Sequence, residues 1–476
     1  MRARLQWASR RINWLAVGAV GLSVFMGLFV AVFGAITNGE LTKMVALPAF
    51  LVLLILLAVD RRFLLLSVLV LRASGDLVLS STKVGALINA FVILLSVLLV
   101  LEQPKRFPGK PATPWLIFLA ISLYALVISP NLVEGVRLWL SLISYFAIFV
   151  SGFYLVRSKE DLMFCIKIVL WSSLLPTLYA FVDFALRHGA ANFRLRSTFG
   201  HPNIFGFYLT LIIALSFYMM KSLEPRRDNA MRVAYGCYIF VLLGLLALTQ
   251  TRSAWLGCFL IFFGYALFFE RRYFIYMGVL GMVALAVPGV LDRLADLTQN
   301  TEISATARLN SYAWRKFLWE SAFHWMEFRD YFFGRGLQSF REESIVFFPQ
   351  ASGVNWNAHS AYVQVIFEMG VVGALAFVSL YLSVLRRMWA LRRAAPLFAY
   401  IIAAVVVSYM FAAYSDNVLD YLSFDWYLWF VLGIASAYAL SLQAPAAPAR
   451  ATVPPSNHRS LFEDRLPGQP IPQNQP

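Results

Sequence analysis

The residues of this sequence best placed to do chemistry are arginines and histidines that have no acids around them. Residues 187–203 hold Arg187, His188, Arg194, Arg196 and His201, close to Asn203, without one carboxylate. Arg252 lies in Thr249-Gln250-Thr251-Arg252-Ser253, again with no acid beside it. His359-Ser360 then opens a long apolar run. A guanidinium donates two parallel hydrogen bonds that match a phosphate, and an imidazole, which titrates near working pH, accepts a proton as a general base. Together they suit departure of a diphosphate and attack by a hydroxyl. The blander reading is that each arginine snorkels or pairs with an acid such as Glu134 or Asp416, and that His359 is a polar cap. Asp416, Asp420 and Asp425 offer an acceptor-hydroxyl role for Asp416, against the alternative of solvated loop acids. No Asp-x-Asp pair or phosphate-cradling glycine loop accompanies these groups, and Cys165, Cys237 and Cys258 have no metal-like spacing. Neither a metal, a cofactor nor a disulfide is expected, and the cysteines read as small buried hydrophobes.

The elements that must position these groups are membrane helices. Of the 476 residues, 60% are apolar and 14% charged, which excludes ordinary soluble packing. Apolar runs recur at 12–36, 44–59, 63–81, 84–101, 114–129, 138–156, 162–186, 204–220, 233–249, 255–269, 273–290, 360–385, 397–413 and 426–443. Each is about long enough to cross a ~30 Å hydrocarbon core, where the backbone must be satisfied within the segment. The expectation is an all-α, polytopic transmembrane bundle of fourteen spans, or twelve if 63–81, interrupted by Arg72, Gly75 and Asp76, pairs with its neighbour as a half-inserted hairpin. Counting alternate loops from a cytoplasmic N-terminus, the inward set collects 24 of the 40 Lys and Arg, which fixes the orientation with both termini inside. The net charge of +15 therefore follows topology rather than forming a nucleic-acid stripe, and no nucleic-acid partner is expected.

Four regions follow: N-terminal spans over 1–290, an outward loop over 291–358, C-terminal spans over 359–443, and a Pro- and Gln-rich cytoplasmic tail over 444–476 predicted to be disordered. Within the loop, Ala305–Phe328 reads as an amphipathic interfacial helix with Arg308 and Arg315 on one face. On this topology the acid-free arginines all lie outward, against the positive-inside trend. Eleven residues of helix from His359 to Gly370 span about 16 Å, which puts the histidine at the outer interface and the Gly370/Gly373 pair mid-membrane as a site of close helix packing.

Four motifs in order carry a resemblance. His359-Ser360, nine residues, then Gly370-Val371-Val372-Gly373 resembles the signature of the O-antigen ligase and polymerase family. Arg196-Ser197-Thr198-Phe199-Gly200-His201-Pro202-Asn203 is similar to its Thr-Phe-Gly-x-Pro-Asn stretch, and Thr251-Arg252-Ser253-Ala254-Trp255-Leu256-Gly257 to its Ser/Thr-Arg-x-x-Trp-Leu-Gly stretch. Arg308 occupies the place of the family's loop arginine. The resemblance covers about residues 190–440. It implies en bloc transfer of a glycan from undecaprenyl diphosphate to a sugar hydroxyl of lipid A-core, at the periplasmic face of a Gram-negative inner membrane, among membrane lipids and without cofactor or metal. In that reaction His359 is the base, Arg252 and Arg308 clamp the diphosphate with help from Arg196, and Arg194, His201, Asn203 and Asp416 are the remaining substrate-binding candidates. Direct attack predicts inversion at the anomeric carbon. A polymerase or a protein O-oligosaccharyltransferase of the same family shares these motifs; the long loop favours the ligase, whose membrane-embedded acceptor needs a docking surface. A transporter or flippase of an anionic lipid is the reading from another class, with Arg72, Asp76, Lys167 and Asp183 as its intramembrane charges.

Overall fold

The computed structural model describes residues 60–80, 83–190, 193–286, 290–295 and 309–443, and regular structure among them is helical throughout. The runs expected at 12–36 and 44–59, the two chain ends and Arg308 lie outside the described residues. Helix α1 (Arg61–Ser74) starts on Asp60, whose carboxylate accepts from the Arg62 and Phe63 amides, and ends at Gly75. The short α2 (Asp76–Ser80) continues beyond that glycine, so the run predicted over 63–81 is broken where its sequence is polar. Helices α3 (Lys83–Glu102), α4 (Gly109–Val127) and α5 (Leu132–Leu155) follow. Then come α6 (Lys159–Trp171) and α7 (Leu174–Arg187), offset at Ser172 and Ser173, whose hydroxyls bond back to the Val169 and Leu170 carbonyls. Helices α8 (Pro202–Ser222), α9 (Asn229–Leu248), α10 (Arg252–Phe268) and α11 (Tyr273–Leu285) complete the first part of the bundle.

The loop region contributes α12 (Val290–Ala295), α13 (Ser311–Trp325), α14 (Phe328–Phe333) and α15 (Ser339–Phe347) before the chain re-enters the bundle through α16 (Ala361–Leu391), α17 (Pro396–Ser415) and α18 (Leu422–Gln443). Among the described residues nine segments, α6 with α7 counted as one, are long and apolar enough to cross a membrane, and α10 and α11 are shorter apolar helices. The chain is a multi-pass membrane protein. Cys165 and Cys258 are buried as expected, whereas Cys237 is exposed on α9, a helix with only one face covered.

Lipid is as apolar as leucine, so close backbone approach and shape hold such a bundle together. Helix α18, buried along nearly its whole length, is the central post. Helix α5 lies against it where Gly152 meets the Phe430 carbonyl and Gly433 meets the Phe149 carbonyl; a Cβ at Gly433 would sit 2.2 Å from that oxygen. Helices α10 and α17 close in the same way, Gly257 against Ser408 and Gly264 against Tyr400. This contact matters for function, because Arg252 starts α10 and Asp416 ends α17.

Two features of the loop depart from expectation. The helix predicted over Ala305–Phe328 starts at Asn310, whose side chain accepts from the Tyr312 and Ala313 amides, and stops at Met326 before α14. It buries Leu318, Trp319 and Ala322 in a separate apolar core with Phe340, Phe347, Phe348, Val363 and Phe367. The last two belong to α16, so the loop's core includes the start of that helix. At full length α16 would measure about 46 Å against a ~30 Å hydrocarbon core. Gly370, at φ 69° and ψ −175°, breaks it. In the part before the break, Val363, Ile366 and Phe367 join the loop's core while Ala361, Val365 and Met369 pack into the bundle, and 371–391, about 31 Å long, suffices to span. Gly370 thus breaks the helix rather than packing two helices together mid-membrane. The carbonyls freed near the break are taken up by the loop, Phe367 O by the Arg335 amide (2.9 Å) and Glu368 O by the Gly336 amide (3.0 Å).

Candidate active site

At the loop's end of the bundle lies a cavity of about 320 Å³, lined by Arg194, Asn203, Gln250, Thr251, Arg252, Ser253, Leu256, Ser311, Tyr312, Arg315, Phe411, Tyr414, Ser415 and Asp416. Four chain segments meet there. The first, residues 193–203, is fixed from beneath by acids inside the bundle. Asp183 accepts from the Arg196 and Ser197 amides (3.2 and 2.9 Å), and Asp76 accepts from the Gly200 amide (3.2 Å). Thr198 ties to the α1–α2 break through the Ala73 carbonyl and the Leu77 amide. Pro202 and Asn203 start α8, and His201 caps it, its Nδ1 accepting from the Asn203 amide at 3.1 Å.

Asp416 joins the segments. Its side chain accepts from Asn203 Nδ2 (2.6 Å), Ser253 Oγ (2.7 Å) and Tyr421 OH (3.1 Å), while its backbone carbonyl accepts from the Ala361 amide (3.1 Å). Asn203 Oδ1 in turn accepts from Arg194 Nη2 (2.6 Å), which also reaches Thr251 Oγ1, and Arg194 Nε donates to the Thr249 carbonyl. Arg252 donates to Ser311 Oγ on α13 at 2.6 Å, tying the bundle to the loop. The guanidiniums of Arg194 and Arg252 are therefore tied to other residues of the cavity's lining, Arg194 to Asn203 and Thr251, and Arg252 to Ser311. Arg315, one turn along α13 from Ser311, adds a third.

His359 stands at this cluster, its ring edge-on to Trp314 at 5.8 Å. Trp319, donating to the Ala358 carbonyl at 2.6 Å, holds the approach to it. The capping task falls to Ser360, whose hydroxyl accepts from the Val363 amide. His359 is therefore not spent as a cap, and it sits at φ 50°, a left-handed conformation that costs a non-glycine residue about 1–2 kcal/mol. Ser197 (φ 53°), in the 196–203 motif, and Gln250 (φ 51°), just before the 251–257 motif, share that conformation, as do Gln338 and Ser352 in the loop. Such strain persists only where the surroundings impose it, and it concentrates at working sites. Burial, and after it the charge of Arg315, pushes the His359 imidazole down to about 4; His201 adds to the effect and Asp416 opposes it. At neutral pH the ring is uncharged and able to accept a proton.

Of the residues singled out from sequence, Arg252, Arg194, Asn203 and Asp416 line the cavity and His359 lies within electrostatic reach of Arg315 and Asp416. His201 is close to His359 but occupied at the α8 cap, and Arg196 does not line the cavity. Sequence reasoning did not assign Arg315 to the site, although its seven-residue spacing from Arg308 was the available signal. Nor did it find Ser253, Ser311 or Tyr421. Among the described residues no group of His, Cys, Asp or Glu has the arrangement of a metal site.

A comparison with curated proteins gives no match. A family model described as O-antigen ligase matches residues 237–378, which run from α9 through the loop into α16 and include Arg252, Arg315 and His359. That match, which covers under a third of the chain, agrees with the resemblance carried by the Arg252 and His359 motifs within it.

Proposed function

We propose that the chain is an O-antigen ligase, transferring a glycan from undecaprenyl diphosphate to a sugar hydroxyl of lipid A-core at the periplasmic face of the inner membrane. The observation that carries this reading is the cavity's mixed lining of arginines and apolar side chains. Arg194, Arg252 and Arg315 line it together with Leu256, Phe411 and Tyr414, which are each about half exposed on α10 and α17. A cavity that combines three arginines with apolar side chains exposed on membrane helices suits a diphosphate attached to a hydrocarbon chain that stays in the membrane. Neutral His359 takes the proton of the acceptor hydroxyl as the oxygen attacks the anomeric carbon. The glycosidic bond to the diphosphate breaks, and the arginines, with Arg308 as a further member, stabilise the charge that leaves. Attack from the side opposite the leaving group inverts the anomeric centre. Asp416, with its oxygens engaged by Asn203, Ser253 and Tyr421, acts as a positioning residue for Arg252 and His359 rather than by touching the acceptor.

The transporter reading loses its main support, because the intramembrane acids have other work: Asp183 and Asp76 hold the 193–203 loop. The test is transfer by the purified full chain in lipid nanodiscs, given undecaprenyl-diphosphate-linked glycan and lipid A-core with a chelator and no ATP. Wild type modifies lipid A-core. His359→Ala loses about 10²–10⁴ in rate and Arg252→Ala about 10²–10³. Undiminished transfer by His359→Ala overturns the base assignment, and growth of the glycan on its carrier overturns the ligase in favour of a polymerase.

A further inference from the structure

The short helix α14 has a surface that neither the cavity nor the transfer reaction explains. Its backbone rests on the break in α16: a Cβ at Gly370 would come within 2.1 Å of the Phe332 carbonyl oxygen. The length of α16 places that break at the edge of the hydrocarbon core, since 371–391 already spans it. On its other side α14 turns aromatic rings outward. Phe328 is 81% exposed and Phe332, one turn later, 47%, with the two rings edge-on at 5.3 Å. Phe333 is exposed beside them and meets Tyr124 on α4 at 6.4 Å. Val127 at the end of α4, and Val372 and Leu375 just past the break on α16, are also exposed. Arg329, on the same helix, is exposed as well.

We propose that α14 is an in-plane anchor, with Phe328 and Phe332 inserted among the acyl chains of the leaflet on the loop's side. The anchor fixes the loop's separate core to the bilayer at the α16 break. Exposed rings in water next to a membrane-spanning helix would cost transfer free energy that insertion recovers, whereas a soluble partner would have to reach rings seated at the break in α16 and against α4, where those spans leave the membrane. Arg329 is placed for the headgroup phosphates at that depth. The anchor accounts for how a loop joined to the bundle holds α13, and with it Arg315 and Trp314, at a fixed height over the membrane edge.

The test is independent of transfer activity. Phe328→Cys and, separately, Phe332→Cys, each on a Cys237→Ser background, are labelled with an environment-sensitive fluorophore in the full chain and placed in phosphatidylcholine/phosphatidylglycerol nanodiscs; Asn355→Cys, exposed on the loop, is the reference. The expected result is strong quenching at 328 and 332 by lipids carrying a nitroxide near the headgroup, with several-fold weaker quenching by iodide than at 355. Iodide quenching equal to that at 355 overturns the anchor. Shielding from both quenchers overturns it in favour of a protein partner, and a second copy of the chain is that partner if shielding falls on dilution.

Discussion

His359 owes its low affinity for protons to burial and to the charge of Arg315. The pH dependence that follows has a definite sign. In free enzyme the ring charges only as pH falls toward about 4, so kcat/KM keeps its neutral-pH value down to about pH 5 and declines below it. A bound diphosphate brings negative charge against Arg315 and favours the imidazolium, so the acid limb of kcat lies at higher pH than that of kcat/KM. Profiles measured with lipid-linked glycan check both points; a limb of kcat/KM at pH 6 or above would show that His359 is not buried as described. Arg315→Ala makes a second check. It lowers transfer by about 10²-fold through loss of a phosphate donor and moves the acid limb of kcat/KM upward, a shift that a merely structural role would not produce. At this scale the sequence was half legible. Isolated arginines and the histidine stood out because a membrane protein places few charges without reason. The role of Asp416 did not, because Asn203 and Ser253, which engage it, lie 213 and 163 residues away in the chain.

Helix α16 was expected as one span with a packing pair of glycines, since nothing in an apolar 3.6-residue pattern marks where a backbone leaves the helical region. Only its excess length over a bilayer hinted at two parts. Gly370 allows the break because its φ of 69° carries no Cβ penalty, and because α14 occupies the space a side chain would need. Gly370→Ala meets both obstacles at once. It should detach α14 and loosen the Arg335 and Gly336 hydrogen bonds, lowering the melting temperature, exposing the loop to limited proteolysis and reducing transfer at least tenfold. Gly278→Ala in α11, where a Cβ meets nothing within 4 Å, should raise stability by about 0.5–1 kcal/mol or leave it unchanged. Equal stability and equal proteolysis of the two variants would mean that the break is not held by the loop.

For the whole molecule, the apolar runs made the bundle readable, because each must satisfy its backbone alone and so announces itself at a fixed length. What could not be read was which buried charges belong to a path and which to a scaffold. Asp76 and Asp183 lie at the ends of helices far apart in sequence, yet both accept amides of the loop that presents Arg194 and Asn203 to the cavity. Asp76 also accepts from Ser423 on α18 and pairs with buried Arg72, which links that loop to the central post. If these acids form a scaffold, replacing one weakens the site without opening or closing a conduit. Asp76→Asn should lower the melting temperature by several degrees and transfer by about tenfold or more, while proteoliposomes of wild type and variant stay equally tight to protons and sodium ions under an imposed potential. A wild-type ion flux that Asp76→Asn abolishes, with the melting temperature unchanged, would return the acids to a transport path.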